Sequence, residues 1–163
     1  MNSRVKEVEL AAAQMGEKRR ELVVFGVADF TCALDIENAQ EIKGQLNIIE
    51  VPEAAMYVRG VANLRGQVIT VVDLRIVFGI EPTKIGKDSR IVVVRHDNAV
   101  LGLLVDEVQD IVAAHVDELE PPPANISGVK GDFFDAVLKR PGGLACLLNL
   151  DRILTEESGS AAD

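Results

Sequence analysis

The chain carries an internal repeat. Residues 22–42 slide by 69 positions onto residues 91–111 without a gap. Val23 and Val24 fall on Val92 and Val93, Leu34 on Leu103, Gln40 on Gln109, and Ile42 on Ile111. Asp29 meets Asn98 at a turn, Glu37 meets Asp106, and Glu41 meets Asp110. A second match follows at a slightly larger offset, Val71-Val72-Asp73-Leu74 against Leu147-Leu148-Asn149-Leu150. Each of those apolar runs ends in a residue suited to cap a helix, Asp73 or Asn149. Alternating hairpins match by chance at apolar positions, but alternation does not require Gln40 to meet Gln109 or the two caps to coincide. The repeat therefore predicts two copies of one strand-rich unit. Short strands with turn signals between them suggest small barrels. Half of a 163-residue chain is small for a core of its own, so an apolar seam shared by the two units is expected.

Composition removes several function classes. The chain is 48% hydrophobic, enough for a real core, and only 4% aromatic, so that core is aliphatic. A net charge of −9 argues against nucleic acid or anionic lipid as the main partner. Cys32 and Cys146 lie in apolar strand-like runs and read as reduced, buried thiols. No apolar run is long enough to span a membrane, and the charged N-terminus lacks the core of a signal peptide, so a cytoplasmic protein is expected.

Residues 59–75 hold the most informative local pattern. Residues 67–72 are nearly all apolar, most of them β-branched, as in a strand buried on both faces. Gly66 sits where the chain must reverse. Asp73 ends the strand and can cap a short helix over 74–78, closed by Gly79 and Pro82. Packing leaves the polar pair Asn63 and Arg65 unexplained. Elsewhere, residues 1–20 read as a polar leader with a weak helical pattern, and the fold is expected to begin at Glu21. Strands are predicted at 22–27, 30–36, 46–51, 91–94, 99–105, 109–113, 116–119, 133–138 and 144–150. One helical turn is expected at 52–56 behind Pro52, and a last capped helix to Leu154. Residues 156–163 read as a polar, disordered tail.

The run Gly60, Asn63-Leu64-Arg65-Gly66 and Asp73-Leu74-Arg75 resembles the signature of the CheW family, the adaptor proteins of bacterial chemotaxis. Thr70 stands where that family often has a proline. The resemblance covers roughly residues 21–155 and implies a mainly β fold of two SH3-like five-stranded β-barrels packed with pseudo-two-fold symmetry, with a few short helices. It also implies a non-catalytic scaffold that joins chemoreceptor tips to the regulatory domain of a CheA-type histidine kinase. Such a protein associates with membrane receptor arrays through its partners. The alternative is the regulatory module of a related two-component pathway, or part of a CheA- or CheV-type protein.

The residues point the same way on catalysis. His96 and His115 have no Cys, His or acid at metal-ligand spacing, and both read as solvated or edge-strand residues. Neither cysteine has a basic environment, Ser127-Gly128 lacks the pattern of a nucleophile elbow, and Gly86-Lys87 is not a phosphate loop. The acids Asp106, Glu107, Asp110, Asp117, Glu118 and Glu120 lack a calcium-loop arrangement and read as a solvated face. No cofactor or metal motif emerges.

Arg65 at a turn tip reads equally as a solvated charge or a binding group. The resemblance decides for binding, because in CheW-like proteins this arginine pairs with a glutamate that corresponds here to Glu41. A guanidinium so held would meet a receptor's helical hairpin tip at the seam between the barrels. Ala39, Ile42, Gly60, Asn63 and Val108 would complete the surface. Asp73 and Arg75 read as structure instead, a cap and a charge that points out or pairs with a nearby acid. Of Phe133 and Phe134, strand alternation sends one outward, to be covered by the other barrel or to join an interface.

Overall fold

The computed structural model describes residues 19–44, 46–126 and 128–154. Strand β1 (Arg19–Val27) turns at Ala28-Asp29 into β2 (Phe30–Asp35), and β3 (Ala39–Lys43) follows. The hairpin of β4 (Val58–Leu64) and β5 (Gln67–Asp73) runs directly into helix α1 (Leu74–Val77). The second half repeats this order with β6 (Arg90–His96), β7 (Ala99–Val105) and β8 (Glu107–His115). A 3-10 turn, β9 (Leu119–Glu120) and the two-residue pair β10 (Asn125–Ile126) and β11 (Val129–Lys130) come next. The hairpin of β12 (Phe134–Arg140) and β13 (Gly143–Leu148) leads into a last helix α2, residues 150–154. Strand β1 starts at Arg19, the first described residue, two residues before the expected start. The rest of the expected leader and the tail at 156–163 lie outside the described residues.

The halves are duplicated as expected, but neither forms a sheet by itself. One sheet has the order β8-β1-β2-β13-β12-β9 and the other β3-β6-β7-β5-β4. The first two strands of each half thus join the later strands of the other half. Parallel pairs make both crossings, β2 with β13 and β5 with β7. Both sheets are therefore mixed, and β9 makes one of them six-stranded rather than five-stranded. The exchange has a packing cause. Strands β1, β2, β6 and β7 are apolar on both faces, so each needs cover on two sides, and one half alone cannot supply it.

Alternation then sorts the side chains into three cores. Leu22, Val24, Ala33, Leu138 and Leu147 fill the inner face of the first sheet. Their counterparts Ile91, Val93, Ile69, Val71 and Leu104 fill that of the second. The opposite faces, with Val23, Phe25, Leu34, Val72, Val92, Leu103 and Leu148, meet in the largest cluster, the shared seam. Phe133 and Phe134 both lie in that seam. Phe133 belongs to a 3-10 turn (Gly131–Phe133), so strand alternation does not apply to it, and both rings pack on Phe78. Cys32 and Cys146 are buried free thiols facing each other across the β2–β13 pair, and burial raises both pKa values.

Two polar pins hold the helices to this frame. Asp73 is fully buried, and its carboxylate accepts from Arg75 N, Arg59 Nη1, Thr83 N and Thr83 Oγ1 at 2.8–3.0 Å. Of the two residues that could cap α2, Asn149 and Asp151, Asn149 accepts from Arg152 N at 2.8 Å. Arg75 pairs with Asp106 at 2.6 Å, and Asp106 also accepts from Ala28 N.

Three predicted elements differ. Residues 46–51 are not a strand. They cross the edge of β4 at a single bridge between Ile49 and Val61, because Pro52 and the positive φ of Glu53 turn the chain away. Residues 52–56 form turns, not a helix. Residues 116–118 form a 3-10 turn capped by His115 at the end of edge strand β8, and only the two-residue β9 follows.

Candidate binding site

The β4–β5 hairpin closes with two residues, Arg65 and Gly66, both with positive φ (51° and 87°). That is the pattern of a type I′ turn, whose favoured first residue is Asn or Gly. Glycine takes this conformation freely, whereas an arginine there carries backbone strain of roughly 1–2 kcal/mol. Asn63 steadies the turn, its Oδ1 accepting from Gly66 N at 2.8 Å. Among the other two-residue hairpins, β6–β7 uses Asp97 and Asn98 at its positive-φ positions, residue types that tolerate them, and β1–β2 uses Ala28 (φ 54°). Ala28 shares the strain of Arg65, so what sets Arg65 apart is not the turn geometry but the hold on its side chain.

The Arg65 guanidinium reaches across to β3 and forks onto Glu41. Nη1 donates to Oε1 at 2.9 Å and Nη2 to Oε2. Lys43, two residues along the same face of β3, adds its ammonium 3.3 Å from Glu41 Oε1. The Arg65 bond, joined by Lys43, outweighs partial desolvation and lowers the Glu41 pKa from 4.5 to about 2. The pair is open to solvent: the Arg65 side chain is 66% exposed and that of Glu41 23%. Strands β3 and β4 are opposite edges of their sheet, so this contact draws the two edges toward each other.

The expected site residues separate into two groups. Ala39 and Ile42 flank Glu41 on β3; Ala39 is half-buried against the seam core, and Ile42 is exposed. Val108, the repeat partner of Ala39, packs on the same core from β8 in the other sheet. Gly60 is not surface. It is buried, and a Cβ there would stand 2.1 Å from the carbonyl oxygen of Ile49, so it exists to let residues 49–50 cross. Asn63 spends its carbonyl oxygen on the turn. The ion pair itself lies within one sheet rather than between the two, because β3 and the β4–β5 hairpin both belong to the second sheet. Lys43 escaped the sequence reading, although its spacing from Glu41 on a strand was visible. Arg59, which enters the Asp73 node, escaped it too.

His96 differs from its expected solvated state. Its Nε2 lies 2.8 Å from Asp151 Oδ1 and 3.3 Å from Asp97 Oδ2, tying β6 to α2. Sequence spacing hid this set because Asp151 arrives from the far end of the chain. The two carboxylates are largely solvated, and the imidazole nitrogen lies between them.

Residues 21–158 match the family model of the CheW-like domain. The chain is 34% identical to the chemotaxis protein CheW of Rhizobium meliloti over 93% of its own length and 98% of the relative's. It is 30% identical to the probable chemotaxis protein CheW of Rhizobium etli over the same shares. The crystal structure of the scaffolding protein TtCheW from Thermoanaerobacter tengcongensis superimposes with a TM-score of 0.76 at 30% identity, covering 83% of this chain and 88% of that one. A matched domain over most of the chain, near full-length relatives and a shared architecture of two pseudo-symmetric sheets agree. The chain is a member of the CheW family of chemotaxis adaptor proteins.

Proposed function

We propose that this protein is a non-catalytic scaffold that couples chemoreceptors to a CheA-type histidine kinase. Arg65 and Glu41 would form the polar centre of the receptor contact. The observation that carries the reading is an arginine held bidentately on an exposed turn. With both carboxylate oxygens of Glu41 engaged, the remaining N–H groups of Arg65 are fixed in direction and aimed at solvent. A receptor's helical hairpin tip can offer them a carboxylate or helix-end carbonyls, while Ala39, Ile42 and Val108 supply apolar contact. Gly60 and Asn63 act on this surface indirectly, by shaping the hairpin. The protein transfers no group; it works by favouring the assembled geometry of its partners. The approach of β3 to the β4–β5 hairpin, and the like approach of β8 to β12, support SH3-like barrel closure in both sheets. Among the described residues, no helix is long and apolar enough to cross a membrane.

The test is Arg65→Glu, titrated by calorimetry against a receptor cytoplasmic fragment from the same organism. The charge reversal should weaken binding at least about tenfold while the melting temperature stays nearly unchanged. Unfolding of the variant, or undiminished binding, would remove Arg65 from the receptor contact.

A further inference from the structure

His96 ends β6, Asp97 follows it in the β6–β7 turn, and Asp151 stands in the first turn of α2. Strand β6 belongs to the second sheet, whereas α2 leaves the end of β13 in the first. The three side chains converge between these elements. His96 Nε2 lies 2.8 Å from Asp151 Oδ1 and 3.3 Å from Asp97 Oδ2, and one ligand atom of each residue falls within 4.8 Å of the others. A single N–H on Nε2 can be aimed at only one of these oxygens. A proton there serves one carboxylate and leaves the other facing the same nitrogen. Capping does not account for Asp151, because Asn149 holds that place on α2.

A divalent cation satisfies all three groups together. Metal–ligand bonds of about 2.0–2.2 Å set neighbouring ligand atoms about 2.8–3.6 Å apart in octahedral or tetrahedral geometry. Both distances around Nε2 fall within that span. The surroundings favour positive charge. A cleft of about 180 Å³ beside His96 and Asp151 is lined also by Asp35, Asn38, Asp135 and Asn149. Burial raises the Asp135 carboxyl above its ordinary pKa, and Asp151 and Asp35 add repulsion against the pull of Asn149 and Arg20. Arg20 donates to Asp35 and offsets it, while two carboxylates remain around one imidazole. The Asp97 and Asp151 side chains are 85% and 76% exposed, so an ion can enter without rearrangement and water completes its shell.

We propose that His96, Asp97 and Asp151 form a binding site for a divalent transition-metal ion of the zinc class. One imidazole with two carboxylates suits zinc and its neighbours, whereas magnesium and calcium favour oxygen ligands alone. The bound ion straps α2 to the end of β6 and so ties the first sheet to the second. His115 provides the internal contrast. Its Nδ1 accepts from Asp117 N at 3.1 Å, and Glu118 accepts from His115 N at 2.8 Å, so that imidazole and one of its acids are spent on a turn.

The experiment is calorimetric titration of the tag-free, metal-stripped full chain with zinc at neutral pH, with magnesium in parallel. Nitrogen-resolved NMR of the two imidazole rings follows the same titration. The expected result is a single zinc per chain, bound at least about tenfold more tightly than magnesium, with the His96 Nε2 resonance moving and the His115 ring unmoved. His96→Gln, Asp97→Asn and Asp151→Asn should each raise the zinc Kd at least about tenfold, while His115→Gln stays within about twofold of wild type. The wild-type melting temperature should climb with zinc concentration, and that of His96→Gln should not. If His96→Gln does not fold, Asp97→Asn carries the test, since asparagine suits the positive-φ turn. Zinc that fails to bind at millimolar concentration, that moves His115 instead, or that binds all three variants as tightly as wild type overturns the proposal.

Discussion

Asp73 and Glu41 are both strand carboxylates that accept from an arginine of the β4–β5 hairpin, yet their surroundings are opposite. Asp73 is fully buried and receives Arg59, both donors of Thr83 and the N–H of Arg75 in the first turn of α1. Glu41 lies on an edge strand in solvent and receives a turn-tip arginine and a lysine. Chain connectivity explains the contrast. Asp73 ends a central strand where α1 begins, so its oxygens satisfy groups that the fold itself would leave unpaired. Glu41 satisfies nothing buried; it orients Arg65. A burial-driven ion pair secures structure, while an exposed pair that fixes a side chain points to function, even when both come from one short signature.

Breaking the buried node should have the largest effect. Asp73→Ala leaves Thr83 and the start of α1 without their acceptor and the half-buried Arg59 without its counter-charge. The expected cost is about 3 kcal/mol or more, roughly 6–12 °C in melting temperature for a domain of this size, read by thermal unfolding followed by circular dichroism. A loss below about 1 kcal/mol would mean that water replaces the node at no cost, and the structural assignment of Asp73 would fail.

Arg65→Asn sharpens the contrast from the other side. Asparagine suits the first position of a type I′ turn, and the substitution removes the guanidinium. Stability and binding should therefore move apart: the melting temperature rises by roughly 1–3 °C while receptor affinity falls. A variant that binds as well as wild type would show that the turn, not the guanidinium, is the recognised feature.

The same contrast separates what the sequence disclosed from what it withheld. Elements fixed by local chemistry were legible: the β4–β5 reversal at Gly66, the Asp73 and Asn149 caps, the Asp97-Asn98 turn, and the alternation that fills two inner cores and a seam. The Glu41–Arg65 pair was reached only through family resemblance, since 24 residues separate its members and no spacing rule joins them. What stayed hidden depended on topology. Exchange of strands between the halves rests on parallel pairs, β2 with β13 and β5 with β7, between distant segments. Ile49 crosses β4 because Gly60 has no Cβ, so the apolar run at 46–51 imitated a strand. His96 and Asp151 meet only because α2 packs against β6. Local signals set element type and side-chain direction, while long-range pairing chose the partners.

The smallest effect concerns protons. Glu41 titrates near 2 in the folded chain and near 4.5 without its partners. A depressed carboxyl pKa means that the clamp adds stability above pH 4.5, and that this increment is lost as pH falls from 4.5 toward 2. Around neutrality the carboxylate is fully ionised, so Glu41 should contribute no pH dependence to receptor binding between about pH 6 and 8. Carbon-detected NMR of the side-chain carboxyl, on folded protein, should place the midpoint near 2 and move it toward 4.5 in Arg65→Ala, with Lys43 retaining part of the shift. Lys43→Ala should move it less, because Arg65 supplies the larger share. An Arg65→Ala midpoint that stayed near 2 would transfer the hold on Glu41 to Lys43. Arg65 would then be a free turn-tip charge, and the exposed pair would lose the geometry that sets it apart from Asp73.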